Sequence, residues 1–201
     1  MSLPRVVRHV AFLLIGGAAL AATMAAPAVA HVAAVAGGWS EGFAHPFSGV
    51  DHLAAMVAVG LWASQLGRPA LFLLPLTFLS AMALGAAASF AGLGLAIADD
   101  GVAVSVATLG VLLVVAARPR LVTSAALVAA FGLMHGAAHA AEMPLDAAPL
   151  LYALGFLVAT ATLHLAGIAL GTMATSATGR RLLPIGAAAI AGIGVTLVLN
   201  W

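Results

Sequence analysis

Apolar runs of about 20 residues recur along the chain, separated by short breaks that hold nearly all of its charge. They predict helices near 46–66, 70–91, 101–117, 121–142, 148–172 and 182–200. Each run approaches the roughly 20 residues a helix needs to cross a bilayer core, the third being the shortest. Pro46, Gly67, Pro69, Gly92, Gly101, Pro119, Pro144, Pro149 and Gly179 mark the edges. Asp, His and Glu interrupt the apolar pattern within the first and fourth runs, and those interruptions carry the chemistry considered below.

Charge tests this partition independently. If the first span runs from outside to inside, the inner connections hold Arg68, then Arg118 and Arg120, then Arg180 and Arg181. The outer segments hold Glu41, then Asp99 and Asp100, then Glu142 and Asp146. The Arg bias follows the positive-inside rule, whereas the acidic segregation agrees but weighs less in setting orientation. Both mature termini are expected outside. Three spans per half make the halves opposite in orientation, which is the arithmetic of a 3+3 inverted repeat. The halves share no convincing sequence similarity. The repeat is therefore expected from topology, and from the first span of each half carrying the polar residues.

Composition agrees. Of 201 residues, 64% are hydrophobic and 6% charged, with a mean hydropathy of +1.20. A soluble domain carries about 25% charged residues, so this chain could not cover its surface in water. The fold expected is all-α and polytopic, with the bilayer as partner. Net charge is +1 and there is no Lys, which suggests no nucleic-acid partner and rules out a Lys-containing phosphate-binding loop. There is no Cys, so disulfides, thiolate metal sites and thiol nucleophiles are all removed. Glycines such as Gly85, Gly110, Gly132, Gly136, Gly155, Gly167, Gly171, Gly186, Gly192 and Gly194 fall inside the spans. Small residues let helices pack closely in lipid.

Residues 1–30 read as a secretory signal peptide. Arg5 and Arg8 form its basic start, Val10 to Ala22 its apolar stretch, and Ala28-Val29-Ala30 a small-x-small cleavage site. Cleavage would leave residues 31–201 as a six-helix transmembrane domain with His31 at its amino terminus. The other reading is an uncleaved first span, since the uncharged run from Val10 to Ala30 could just cross a bilayer. Both put the segment after Ala30 outside.

The first span opens His45-Pro46-Phe47-Ser48-Gly49-Val50-Asp51-His52. On a continuous helix His45 and His52 share a face about 10 Å apart along the axis, and Asp51 and His52 lie about 8–9 Å below its outer end. An aspartate there is costly unless it is paired, protonated or facing a polar cavity. The fourth span ends His135-Gly136-Ala137-Ala138-His139-Ala140-Ala141-Glu142, with His135, His139 and Glu142 on one face at i, i+4 and i+7. His139 lies about 4–5 Å and His135 about 10 Å below the outer end, which brings His135 level with His52. One ion could be held between the two helices there, with His45, His139 and Glu142 nearer the mouth. Asp51 would bind the ion directly or orient a histidine that does.

His164, about 22 Å below Pro149 in the inner half, is a later station on a path, a proton acceptor or a hydrogen-bonding packing residue. His31 can chelate through its amine and imidazole or be incidental. His9 falls in the signal. Met56, Met134 and Met143 read as core residues rather than ligands. Trp39, Trp62 and Trp201 read as interface anchors. Imidazole and carboxylate suit Ni, Co, Zn, Cu(II) and Fe(II), and affinity order alone does not select among them.

These residues resemble the HupE/UreJ family of bacterial nickel (and cobalt) permeases. The resemblance runs from about His31 to Gly171. Its most specific piece is HPFSGVDHLAAMVAVGLWASQLG, residues 45–67, and it is supported by FGLMHGAAHAAEMP (131–144) and LGFLVATATLHLAGIALG (154–171). Ala137 departs from the family pattern, in which many members carry a further His between the two of the second motif. The resemblance implies a permease importing Ni2+, or Co2+, across the bacterial inner membrane. It implies no prosthetic group and no enzymatic activity, with downstream hydrogenase or urease maturation factors as possible partners. The residues alone also admit an intramembrane His/carboxylate metalloenzyme, or a metal sensor or delivery protein.

Overall fold

The computed structural model describes residues 38–173 and 177–200, and side chains except those of 177–181. The signal peptide, His9, His31 and Trp201 lie outside the described residues. The described chain is all-helical: α1 Trp39–Ser48, α2 Val50–Leu66, α3 Arg68–Phe90, α4 Ala98–Val114, α5 Leu121–Ala141, α6 Pro149–Met173 and α7 Ala177–Leu199.

By length and composition, α3, α5, α6 and the Leu182–Leu199 part of α7 can each cross a membrane, and the α1–α2 pair makes a fifth crossing if it is one broken span. The predicted third span is the 17-residue α4, which opens with Asp99 and Asp100 in its first turn and is short for a full crossing.

The predicted first span, 46–66, is not one helix. The chain bends by 84° between α1 and α2. Gly49 at the break is extended, at φ −97° and ψ 122°, and Pro46 lies one turn before it inside α1. Proline removes a backbone donor and glycine weakens the helical preference, so a pair three residues apart is a natural place to break.

The helices associate mainly in pairs: α3 with α5, α4 with α7, and α2 and α1 with α6. Glycine sets the spacing of these seams. A Cβ at Gly136 would run into the Met82 carbonyl, and one at Gly85 into the Leu133 carbonyl, so α3 and α5 meet backbone to backbone. Gly60 against the His164 carbonyl and Gly167 against the Val57 carbonyl do the same for α2 and α6. Lipid supplies no hydrophobic drive between helices, so such close packing holds the bundle together.

Trp62 is not an interface anchor. It is fully buried, and its Nε1–H donates to the Ala117 carbonyl at 3.1 Å. That bond ties the end of α2 to the α4–α5 connection. Leu66, Pro69, Ala70, Pro119 and Leu121 line one groove there, so the connections bearing Arg68, Arg118 and Arg120 lie at the same end of the bundle. Trp39 is exposed, as an anchor would be.

Candidate metal centre

The break at Gly49 has a direct effect on the histidines. A straight helix would hold His45 and His52 about 10 Å apart along its axis. The bend instead brings their ring centroids to 5.7 Å. α5 stays unbroken and presents His135, His139 and the capping Glu142 on successive turns of one face. The His139 ring lies 4.5 Å from that of His52 and 4.9 Å from that of His45. His135 lies farther from His52, at 5.4 Å, so His139 rather than the expected His135 is the closer partner of His52.

One ligand atom from each of His45, His52, His139 and Glu142 can be chosen so that all four lie within 4.8 Å of one another. Ligands bound to a transition-metal ion at about 2.0–2.2 Å would need only a modest contraction of this set.

The electrostatics are graded from mouth to interior. The Glu142 carboxylate is exposed and accepts a hydrogen bond from His45 Nε2 at 2.9 Å. That bond chiefly holds its pKa below the ordinary carboxylate value. Glu142 Oε2 is also 3.8 Å from His52 Nε2. Asp51 sits in the first turn of α2, where the helix amino terminus favours negative charge. Its Oδ1 accepts the His52 backbone N–H at 2.8 Å and lies 3.1 Å from His52 Nδ1. Asp51 therefore lies beside the His52 ring and outside the four-donor set.

His52, His135 and His139 are buried. Both ring nitrogens of His139 and Nε2 of His135 have no hydrogen-bond partner among the described residues. His135 Nδ1 lies 2.9 Å from the Phe131 carbonyl, which can only accept. Nδ1 of the neutral ring therefore carries the proton, and Nε2 keeps a free lone pair. The His139 ring stacks on Phe156 at 4.9 Å, and Tyr152 stands 6.0 Å from His45.

The structure thus gathers His45, His52, His139 and Glu142, sets Asp51 beside His52, and puts His135 one step deeper. His164 is not in this group; it stands on α6 against Phe78. The sequence reading missed Phe156 and Tyr152 as walls of the site. The chain's single Tyr was a weak signal for the second, and nothing marked the first. Ala137 packs with Ala98 and Val102 toward α4, so its position is turned away from the four-donor group.

Apolar helices packed at glycine seams around a buried histidine cluster define a multi-pass α-helical membrane protein with a His/carboxylate site. A model of the family described as HupE / UreJ protein matches residues 18–197. Protein HupE of Rhizobium leguminosarum bv. viciae is 36% identical over 181 residues, covering 89% of this chain and 95% of the relative. The chain belongs to the HupE/UreJ family. No solved structure matches it.

Proposed function

We propose that this protein is a secondary permease that imports Ni2+, with Co2+ as the alternative cargo, across the bacterial inner membrane. The observation that carries this reading is the convergence of three imidazoles and a carboxylate where one span is broken. Broken helices near a polar cluster are a recurrent device of transporters, because they free polar groups for an ion within the bilayer. The donors are borderline nitrogen and hard oxygen, which suit a divalent transition metal. Membership of the HupE/UreJ family supports nickel or cobalt as the cargo.

In this reading Glu142 and His45 receive the ion at the mouth, His52 and His139 complete its shell, and Asp51 fixes the His52 ring. His135 takes the ion next through Nε2. The positive-inside rule supports a cytoplasmic face at the end bearing Arg68, Arg118 and Arg120, with the cluster and both mature termini on the periplasmic side. The cleaved signal peptide and six spans, α1–α2 counting as the first, complete the topology.

Helix pairing supports a 3+3 inverted repeat. Exchanging α1–α2, α3 and α4 with α5, α6 and α7 turns the α3–α5 seam into the α6–α2 seam and carries the α4–α7 seam onto itself. The protein is an importer rather than an enzyme and supplies metal to cytoplasmic hydrogenase or urease maturation factors.

The test is 63Ni2+ uptake into proteoliposomes, with Co2+, Zn2+ and Fe2+ as competitors. Uptake is expected to be competed by Co2+ and lost in His52→Ala and Asp51→Asn. Unchanged uptake in both variants would sink the assignment.

A further inference from the structure

A second group of polar side chains lies beneath the four-donor cluster, where α2, α3, α5 and α6 meet. Met56, Met82, Phe78, Thr160, His135 and His164 are all buried, none more than 1% exposed. Thr160 Oγ1–H donates to Met56 Sδ at 3.2 Å and lies 3.9 Å from Met82 Sδ. One turn further along α6, both ring nitrogens of His164 have no hydrogen-bond partner among the described residues, and neither does His135 Nε2. The Phe78 ring touches both imidazoles, at 5.2 Å from His135 and 5.1 Å from His164.

A packing histidine in a lipid-facing bundle satisfies its nitrogens, because a dry, unpaired polar atom is costly. Here three ring nitrogens have no partner among the described residues, and two thioethers converge on Thr160, one turn from His164 on the same helix. Imidazole nitrogen with thioether sulfur is a donor set for a borderline-to-soft transition-metal ion. It carries no formal charge, so it should hold a divalent ion more weakly than the outer set with Glu142. Conduction needs that gradient, since an ion must be able to leave each site for the next.

We infer that His164 with the Met56 and Met82 thioethers forms a second, inner site for a divalent transition-metal ion. His135 hands the ion over from the outer cluster, and the Phe78 ring is the partition the ion passes. The inference rests on the transport reading for its role in a path, but the site itself is a binding site and can be measured without flux.

The experiment is equilibrium dialysis of the purified full-length chain in detergent against 63Ni2+ up to the millimolar range, alongside proteoliposome uptake. Wild type is expected to bind two ions per chain, one tighter than the other. His164→Gln, which preserves size and hydrogen-bonding capacity, should lose the weaker ion, keep the tighter one and take up nickel at least 10-fold more slowly. Met56→Leu with Met82→Leu, close in volume, should weaken the same ion and remove the sulfur contribution from the X-ray absorption spectrum of the doubly loaded protein. His52→Ala should lose the tighter ion instead. A single ion in wild type, or two in His164→Gln, overturns the inner site whatever the flux. Two ions with no flux in wild type leaves the inner site standing and overturns transport.

Discussion

The two helices that build the candidate site reach it by opposite means. α5 runs unbroken from Leu121 to Ala141 and offers His135, His139 and Glu142 by helical periodicity alone. The span that contains α2 must break at Gly49 and turn by 84° before His45 can meet His52. Behind each helix lies a glycine seam, Gly136 on Met82 for α5 and Gly60 on His164 for α2, which fixes its depth and rotation. A straight helix holds ligands in one column. A broken one folds a second column across it, and an ion shell needs both.

Breaking the meeting point itself should have the largest effect. His52→Ala removes the ring that touches His45, His135 and His139 together. It is expected to lower nickel affinity by at least about 100-fold, or about 2.7 kcal/mol, read by equilibrium dialysis. The seams come next. Gly136→Ala and Gly60→Ala each drive a Cβ into a backbone carbonyl that cannot step aside. Each is expected to lose stability near the upper end of about 1–3 kcal/mol, measured by thermal unfolding in detergent. Equal losses would show that both arms are held in the same way.

Smaller changes sharpen the contrast. Glu142→Gln keeps the shape and the His45 contact but removes the charge of one donor, and nickel affinity should fall at least about 10-fold, no less than for loss of an outer-shell partner at a metal site. Gly49→Ala should act on the broken arm alone. Its Cβ would meet the Asp51 Oδ1 atom at 2.6 Å, the movable end of a side chain, and its φ of −97° suits any residue. The added helix preference of Ala, roughly 1 kcal/mol, works against the break. Affinity should drop several-fold while the melting temperature holds; an unchanged affinity would show that Gly49 does not set the bend. The smallest effect is expected at Gly186, which faces open space on α7. Gly186→Ala should leave uptake alone and stabilise the protein by up to about 1 kcal/mol.

Much of this was legible in the chain. The i, i+4, i+7 column of α5 follows from spacing, because helical geometry fixes which residues share a face; the glycines were legible only as packing residues, with Gly186 and Gly192 facing open space and the seam residue Gly60 passed over. The level match expected of His52 with His135 assumed a constant rise along one straight helix; with the chain broken at Gly49, His52 lies nearer to His139. Trp62 was misplaced because its position in a span does not say which way it points; it turned inward to the Ala117 carbonyl. The break at Gly49 was missed because Pro46 reads equally well as a first-turn proline of a straight helix.

Sequence by itself determined the solvent, the all-helical class, the family and the residues able to hold a metal ion. These depend on composition and on local periodicity, which each segment carries alone. Tertiary structure decided which donors can share one ion. It turned His45 back onto His52, set Asp51 beside that ring, and put the inner His164 against Phe78. Those relations join residues on four different helices, and the angle of a break and the rotation of a packed helix are fixed only by the neighbours they meet.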